Sequence, residues 1–157
     1  MPKDIQRRTR LIVYDFDGVL TNNKVILSAD GMESVILDRS DGMAIRMIKD
    51  MGIEQVIMTS ETTDIAVKRA EKLGIPAINK VVDKKIALLD YCKERSISPD
   101  LVLYIGNDIN DLEAMKRAGY AACPSDAHDK IKKISDFVLK SRGGNGVVRE
   151  LMDMIKG

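Results

Sequence analysis

Apolar runs of strand length alternate with amphipathic helical segments along nearly the whole chain. Strand character is found at 11–14, 55–58, 77–78, 101–105 and 120–122, and helical periodicity at 43–51, 63–73, 83–95 and 111–118. Alternation of this kind predicts right-handed crossovers and a parallel sheet covered by helices on both faces. We therefore expect a three-layer, doubly wound α/β fold, with 137–139 as an edge strand and 147–155 as a terminal helix.

One segment interrupts this alternation. Residues 24–37 carry Asp30-Gly31 at their centre and alternating apolar residues on either side, which is typical of a β-hairpin. Because the hairpin follows the first strand, it would overhang the end of that strand as a flap. It is too short to form a separate cap domain. We expect one domain over 1–157, closed by a glycine-rich turn and a C-terminal helix over 141–157.

Two carboxylates stand where the first strand ends. Asp15 and Asp17 directly follow the apolar run Leu11-Ile12-Val13-Tyr14, and residues two apart on a strand point to the same side. Two such carboxylates repel each other unless a cation or a shared proton relieves them. Mg²⁺ prefers oxygen ligands and is often bound together with a substrate phosphate, so the pair suggests phosphoryl chemistry. An ordinary Asp-Gly turn is the alternative.

Three further segment ends carry polar residues suited to the same site. Thr59 and Ser60 follow the second apolar strand, where a hydroxyl and a free N–H could bind phosphate or could merely cap a helix. Lys84 begins a helix and could neutralise phosphate or solvate the surface. The loop 106–111 follows the strongest apolar strand and supplies more oxygen atoms, although its residues could also serve as helix caps. Acidic clusters on two neighbouring strands favour a shared cation.

Composition excludes several classes of function. The 157 residues include 25 basic and 24 acidic side chains, so no excess of positive charge indicates a nucleic-acid or membrane partner. Cys92 and Cys123 lack the spacing of a zinc site, and His128, the only histidine, fits a surface position near a helix start. No apolar stretch has the length of a membrane span, and the charged N-terminus lacks a signal-peptide core. We expect a cytoplasmic protein acting on a small molecule.

In this order along the chain, Asp15-x-Asp17-Gly18, Thr59, Lys84 and the 106–111 loop resemble the motifs of the haloacid dehalogenase superfamily of aspartate-nucleophile phosphatases. The resemblance spans nearly the whole chain and implies a Rossmann-like core and a Mg²⁺ cofactor. It implies that Asp15 attacks phosphorus to give an aspartyl-phosphate, and that Asp17 serves as acid and then base. Thr59, Ser60 and Lys84 would bind the phosphoryl oxygens.

The metal site implied by this resemblance departs from the family pattern at one position. Mg²⁺ would lie between the Asp15 carboxylate, the Asp17 main-chain carbonyl and the 106–111 loop. The residue after the motif glycine is usually an aspartate, whereas here it is Asn107. An amide oxygen can still bind Mg²⁺, but the missing charge weakens the site, and Asp108 could substitute. Asp111 is expected behind the ligands.

The short flap is similar to that of one branch of the superfamily, which contains phosphatases of eight- and nine-carbon 3-deoxy-2-ulosonic acid phosphates and the phosphatase-like domain of some acylneuraminate cytidylyltransferases. In that branch a glycine-rich tail, here beginning at Arg142, reaches a substrate site, and the subunits form tetramers. Glu61, with Lys72 eleven residues later, is similar to the nine-carbon enzymes. The resemblance thus implies a homotetramer, a nine-carbon substrate and a role in sialic acid biosynthesis.

Three alternatives remain at this stage. One is an eight-carbon octulosonate 8-phosphate phosphatase. Another is a catalytically weak assembly domain associated with CMP-sialate synthesis, which Asn107 favours and the pair Asp15 and Asp17 disfavours. The last is a CheY-like phosphoacceptor domain, which also uses an acidic pocket, a hydroxyl residue and a lysine, but with its acceptor on a middle strand of the sequence.

Overall fold

The structure is a computed structural model that describes residues 4–157. The strands are β1 Leu11–Tyr14, β2 Ile26–Leu27, β3 Glu33–Ser34, β4 Glu54–Met58, β5 Ala77–Ile78, β6 Val102–Ile105, β7 Tyr120–Cys123 and β8 Phe137–Val138. The helices are α1 Asp4–Arg8, α2 Arg39–Asp50, α3 Ile65–Leu73, α4 Lys84–Arg95, α5 Leu112–Arg117, α6 Asp129–Ile134 and α7 Val147–Lys156.

The main sheet is parallel, in the order β5-β4-β1-β6-β7-β8. Strand order therefore reverses between β1 and β6, which is where open α/β sheets bind their ligands. The loops after these two strands carry Asp15 and the 106–111 segment. CheY-like domains instead have the strand order 2-1-3-4-5, in which the first strand lies between the second and the third. The sheet order thus argues against the phosphoacceptor alternative and agrees with the expected Rossmann-like core.

Alternate side chains of β1 enter different halves of the core. Ile12 and Tyr14 pack with residues of α2, α3 and α7, whereas Leu11 and Val13 pack with residues of α4, α5 and α6. All four side chains are fully buried, as expected for a central parallel strand. Asp15 continues the alternation on the side of α4. The first residue of α4 can therefore reach it.

Most predicted elements are present, with shifted ends. Helix α2 begins at Arg39 rather than at Met43, because Asp38 caps it by accepting a hydrogen bond from the N–H of Ser40 at 2.7 Å. The strand predicted over 101–105 begins at Val102, after a short 3-10 turn at Pro99–Leu101. Helix α1 was not predicted. Helix α6 was given no bounds, but it begins after His128, whose exposed ring caps it, as expected for a surface position near a helix start.

The predicted hairpin is present, but its ladder is short. Two residue pairs join β2 and β3, and an isolated bridge pairs Thr21 with Leu37 at its base. The flap lies over the end of β1, as expected. No helix within residues 4–157 has both the length and the apolar character needed to cross a bilayer.

Candidate active site

Asp15 lies at the end of β1, 5% exposed, and forms a buried ion pair. The ammonium group of Lys84, the first residue of α4, lies 2.7 Å from Asp15 Oδ1 and 2.7 Å from Asp111 Oδ1. Asp15 Oδ1 also accepts a hydrogen bond from the N–H of Phe16 at 2.7 Å. Oδ1 thus contacts Lys84 and the backbone of Phe16, whereas Oδ2 lies near Asn107.

Asp111 fixes the loop after β6 from behind. Its Oδ1 accepts hydrogen bonds from Lys84 and from the hydroxyl of Tyr104, and its Oδ2 accepts from the N–H groups of Asn107 and Asp108. The side chain is fully buried. Asp111 therefore contacts the backbone of Asn107 and Asp108, which line the cavity next to Asp15, and does not line that cavity itself.

Burial and nearby charge set the ionisation of this cluster. Burial, followed by the charge of Asp111, raises the pKa of Asp15 to about 8, although Lys84 and the N–H of Phe16 oppose the shift. Burial alone would lower the pKa of Lys84, but the two adjacent carboxylates outweigh it and raise that pKa. A nucleophilic carboxylate must be ionised, so further positive charge near Asp15 would favour the reactive form.

The side-chain amide of Asn107 faces two oxygen atoms at once. One terminal atom of the amide lies 2.8 Å from Asp15 Oδ2 and 3.0 Å from the carbonyl oxygen of Asp17. As Nδ2, this atom donates hydrogen bonds to both. As Oδ1, it becomes the third oxygen of a cluster, and adjacent ligands of an octahedral Mg²⁺ are about 3.0 Å apart at metal–oxygen distances of about 2.1 Å.

These three groups therefore fit a magnesium ion. Within residues 4–157 there is no cluster of three histidine, cysteine or carboxylate side chains that could hold a metal, since the set contains an amide and a carbonyl. Asp108 lines the cavity next to Asp15. Its Oδ1 accepts a hydrogen bond from the N–H of Ile109 at 2.7 Å and so caps the following 3-10 turn.

Asp17 lies between two adjoining cavities. A cavity of about 180 Å³ is lined by Asp15, Asp17, Asn23, Thr59, Ser60, Glu61, Asn107, Asp108 and Asn110. A second, of about 170 Å³, lies under the flap and is lined by Phe16, Asp17, Asn23, Lys24, Val25, Glu33, Val35, Glu61, Thr63 and Ile65. The first suits a phosphoryl group and cation, and the second an attached organic group. Because Asp17 lines both cavities, it would lie beside the ester bond that joins a phosphoryl group in the first to an organic group in the second.

The segment after β4 brings Thr59, Ser60 and Glu61 to the first cavity. Thr59 is 2% exposed, and its hydroxyl accepts a hydrogen bond from the N–H of Glu61 at 3.1 Å. Glu61 lines both cavities. Lys84, in contrast, contacts the carboxylates of Asp15 and Asp111 at the back of the site.

Two predicted specificity residues lie away from these cavities. Lys72 is exposed in the last turn of α3, at the end of the helix opposite Glu61. Arg142 has a 71% exposed side chain and pairs with Asp126 at 3.5 Å. Neither residue lines the two cavities beside Asp17, so within one chain the structure does not bring them to Glu61.

Sequence reasoning missed several residues of the site. Thr21, Asn23, Lys24, Glu33 and Tyr104 all contact its acidic groups or line its cavities. The flap position of Lys24 and Glu33 was the available signal for two of them. Tyr104 belongs to an apolar strand and carries no local sign of its contact with Asp111.

Comparisons with known proteins agree with this geometry. A model of the haloacid dehalogenase-like hydrolase family matches residues 49–151 of the chain. The chain is a haloacid dehalogenase-like hydrolase. The hydrolase is 31% identical over 147 residues to 3-deoxy-D-manno-octulosonate 8-phosphate phosphatase of Escherichia coli, covering 93% of this chain and 78% of that enzyme. The predicted superfamily and enzyme class are thus confirmed.

Solved structures resemble this hydrolase over almost its whole length. The octulosonate 8-phosphate phosphatase of Moraxella catarrhalis, in complex with a magnesium ion, a phosphate ion and KDO, is 30% identical with a TM-score of 0.93, covering 98% of this chain and 88% of that chain. A haloacid dehalogenase family hydrolase of Streptomyces avermitilis is 34% identical with a TM-score of 0.91, covering 93% and 84%. The predicted fold class is confirmed.

Proposed function

We propose that this hydrolase is a Mg²⁺-dependent phosphomonoesterase that acts on the phosphate ester of a 3-deoxy-2-ulosonic acid. The observation that carries the proposal is the position of Asp17, between a cavity containing Asp15 and Asn107 and a second cavity under the flap. The relatives named as octulosonate 8-phosphate phosphatases support the same chemistry.

Asp15 and Asp17 divide the chemistry between them. The Asp15 carboxylate attacks phosphorus in line, the bond to the sugar oxygen breaks, and an aspartyl-phosphate forms. Asp17 donates a proton to the departing oxygen and then takes one from the water that hydrolyses the intermediate. Both steps require the Asp15 carboxylate to be positioned without rotation, which its hydrogen bonds to Lys84 and Phe16 ensure.

The remaining groups bind the phosphoryl oxygens and the cation. Thr59, Ser60 and the buried charge of Lys84 stabilise the phosphoryl group. Asp15 Oδ2, the Asp17 carbonyl and Asn107 would hold Mg²⁺, with Asp108 directly or through water. When bound, Mg²⁺ supplies positive charge that offsets the phosphate and favours ionised Asp15.

For the organic group we propose a nine-carbon acid. Glu61 lines both cavities and can accept hydrogen bonds from sugar hydroxyl groups beyond the phosphate. The eight-carbon acid is the second candidate, favoured by the names of the relatives. Lys72 and Arg142, which lie outside these cavities, would contribute through a neighbouring subunit. A catalytically weak assembly domain associated with CMP-sialate synthesis is disfavoured because Asp15 and Asp17 are both in place.

We further propose a homotetramer assembled through the flap. The flap exposes a group of large apolar side chains, each at least half exposed: Val25, Ile26, Leu27, Met32 and Ile36. Its ladder contains only two residue pairs, and an isolated two-stranded hairpin is marginally stable in water. A second copy of the chain would cover this surface and stabilise the hairpin.

The function is tested by measuring phosphate release with and without Mg²⁺ from nononate 9-phosphate, N-acetylneuraminate 9-phosphate, octulosonate 8-phosphate and glucose 6-phosphate. We expect Mg²⁺-dependent release, higher kcat/KM for the nine-carbon acids, and loss of activity in Asp15→Asn. A matched Asp90→Asn variant, at an exposed position on α4, should retain activity. Equal rates with Asp15→Asn and the unmodified protein would exclude the mechanism, and preference for the eight-carbon acid would exclude the nine-carbon assignment.

A further inference from the structure

The glycine-rich turn 142–146 packs against the loop that carries Asp17. The N–H of Gly144 donates a hydrogen bond to the carbonyl of Val19 at 2.9 Å. The turn is anchored on its other side, where the N–H of Gly143 donates to Asp126 Oδ1 at 2.9 Å. The turn therefore lies between the loop after β7 and the loop after β1.

This contact is between backbones and has no room for side chains. A Cβ on Gly143 would collide with the carbonyl group of Gly18, and a Cβ on Gly144 would lie 2.5 Å from the backbone nitrogen of Asn22. Gly144 also has φ +74°, in the left-handed region. The two glycines thus determine how closely the turn approaches the Asp17 loop.

Thr21 connects this loop to the Asp17 carboxylate. Its hydroxyl accepts hydrogen bonds from the N–H groups of Gly18 at 3.2 Å and Asn23 at 3.1 Å, and donates to Asp17 Oδ1 at 3.0 Å. A hydroxyl has one proton and two lone pairs. Because both lone pairs accept N–H groups, its proton is directed to Asp17 Oδ1, and Oδ1 must act as an acceptor.

We propose that Thr21, supported by Gly143 and Gly144, is a positioning residue that assigns the acid–base proton of Asp17 to Oδ2. This inference rests on the proposed phosphatase function. With Oδ1 accepting the hydrogen bond of Thr21, rotation of the carboxyl group is opposed, and Oδ2 is the oxygen left to carry the proton at the cavities that Asp17 lines. Without the hydroxyl, Asp17 keeps its place in the chain but loses the contact that orients its carboxyl group.

The test compares the two chemical steps with p-nitrophenyl phosphate in the presence of Mg²⁺. Its leaving group departs without a proton, so formation of the aspartyl-phosphate does not need Asp17, whereas hydrolysis of the intermediate does. For Thr21→Val we expect a rapid burst of about one p-nitrophenolate per active site, followed by a steady state slower by about 10²-fold. Thr21→Ser should restore the normal steady-state rate. With octulosonate 8-phosphate, whose alkoxide needs a proton, Thr21→Val should give no burst.

A glycine pair provides the matched control. Gly52 has φ +77°, close to that of Gly144, but a Cβ there would meet nothing within 4 Å. Both alanine variants carry the same backbone strain. We expect Gly144→Ala to show the same burst and slow steady state as those expected for Thr21→Val, and Gly52→Ala to keep normal kinetics. This pair tests the proposal even if the Thr21→Val protein does not fold.

The outcomes separate the two levels of proposal. No Mg²⁺-dependent release from either ester by the unmodified protein would overturn the phosphatase function itself. The positioning role would be overturned if the unmodified protein is active and Thr21→Val either slows the burst and the steady state to the same extent or slows neither of them. Equal behaviour of Gly144→Ala and Gly52→Ala would remove the turn from it.

Discussion

At the scale of single residues, Asn107 combines two roles that an aspartate could not. Its amide can present Nδ2 to Asp15 Oδ2 and the Asp17 carbonyl, as two hydrogen bonds, or Oδ1 to a cation between them. The first arrangement stabilises the metal-free protein. Binding of Mg²⁺ requires the amide to turn so that Oδ1 takes the place of Nδ2, and the neutral amide adds no negative charge to the site. Weak metal binding and a stable metal-free site are thus expected together.

Asn107→Asp should reverse both properties. Without metal, two carboxylates would face each other and two hydrogen bonds would be lost, so we expect unfolding free energy to fall by about 1–3 kcal/mol. With Mg²⁺, the added charge should tighten binding about tenfold or more, equivalent to about 1.4 kcal/mol. Thermal unfolding across a Mg²⁺ titration, paired with calorimetric binding, measures both effects.

Asn110→Asp is the control, because Asn110 lines the same cavity without contacting Asp15 in the described hydrogen bonds. Asn110→Asp should change both the unfolding free energy without metal and the affinity for Mg²⁺ by less than Asn107→Asp does. If Asn107→Asp showed no larger Mg²⁺-dependent rise in melting temperature than the unmodified protein, the ion would have to bind through other groups.

The sequence pattern predicted which residues stand at strand ends, and Asp15, Asp17, Thr59, Ser60 and Asn107 do line one cavity. It could not predict which oxygen of each carboxylate is free. That depends on partners such as Thr21 and Lys84, which approach from separate segments. Spacing determines where an aspartate lies, while its hydrogen bonds determine what it can do.

At the scale of elements, α2 and α7 are joined by a buried carboxylate. Asp41 in the first turn of α2 is 2% exposed, and its Oδ1 accepts hydrogen bonds from the N–H groups of Val148 and Arg149 at the start of α7. Its Oδ2 is buried and has no hydrogen-bond partner in the part of the chain that the structure describes. This contact also places α7 behind the glycine-rich turn.

Asp41 makes stability depend on pH. Burial raises its pKa from 3.8 to about 6, against the opposing effect of the two N–H groups. The folded state therefore holds this proton more tightly than the unfolded state. The associated stability is fully present below pH 3.8 and is lost as pH rises through about 6.

Asp41→Asn keeps the accepting oxygen and removes the buried charge. We expect it to match the unmodified protein near pH 4 and to be more stable by about 1–3 kcal/mol at pH 7.5. Urea unfolding at several pH values measures the difference, with Asp90→Asn as an exposed control. A difference that does not grow between pH 4 and pH 7 would contradict the assignment.

The elements that sequence predicted least well depend on such distant contacts. The segment Arg39-Ser40-Asp41-Gly42 has the composition of a turn, yet it forms the first turn of α2, where Asp41 contacts α7. Helix α6 is short, and its buried Ile131 packs into the core beside α4 and α5. Local propensity could not reveal either contact, whereas the long strands and helices with clear periodicity were found within a few residues.

At the scale of the whole molecule, the flap is the part of the fold with the least support of its own. Ile26 and Leu27 are 62% and 66% exposed, and Met32 is 67% exposed. Burying these side chains against another copy would contribute about 25 cal/mol per Å² of apolar surface. Because the flap also lines the cavity for the organic group, assembly and substrate binding would be coupled.

Leu27→Lys should therefore separate the subunits. A charged side chain at the centre of a buried interface leaves an uncompensated charge, so we expect sedimentation to give monomers at micromolar concentration, where the unmodified protein sediments as a tetramer. The KM for the sugar-acid phosphate should rise more than that for p-nitrophenyl phosphate, since the small ester makes fewer contacts under the flap. Val138→Lys, at a half-exposed position on the edge strand β8, should leave both unchanged. A Leu27→Lys protein that remains tetrameric would place the interface elsewhere, and an unmodified protein that sediments as a monomer would rule out the tetramer.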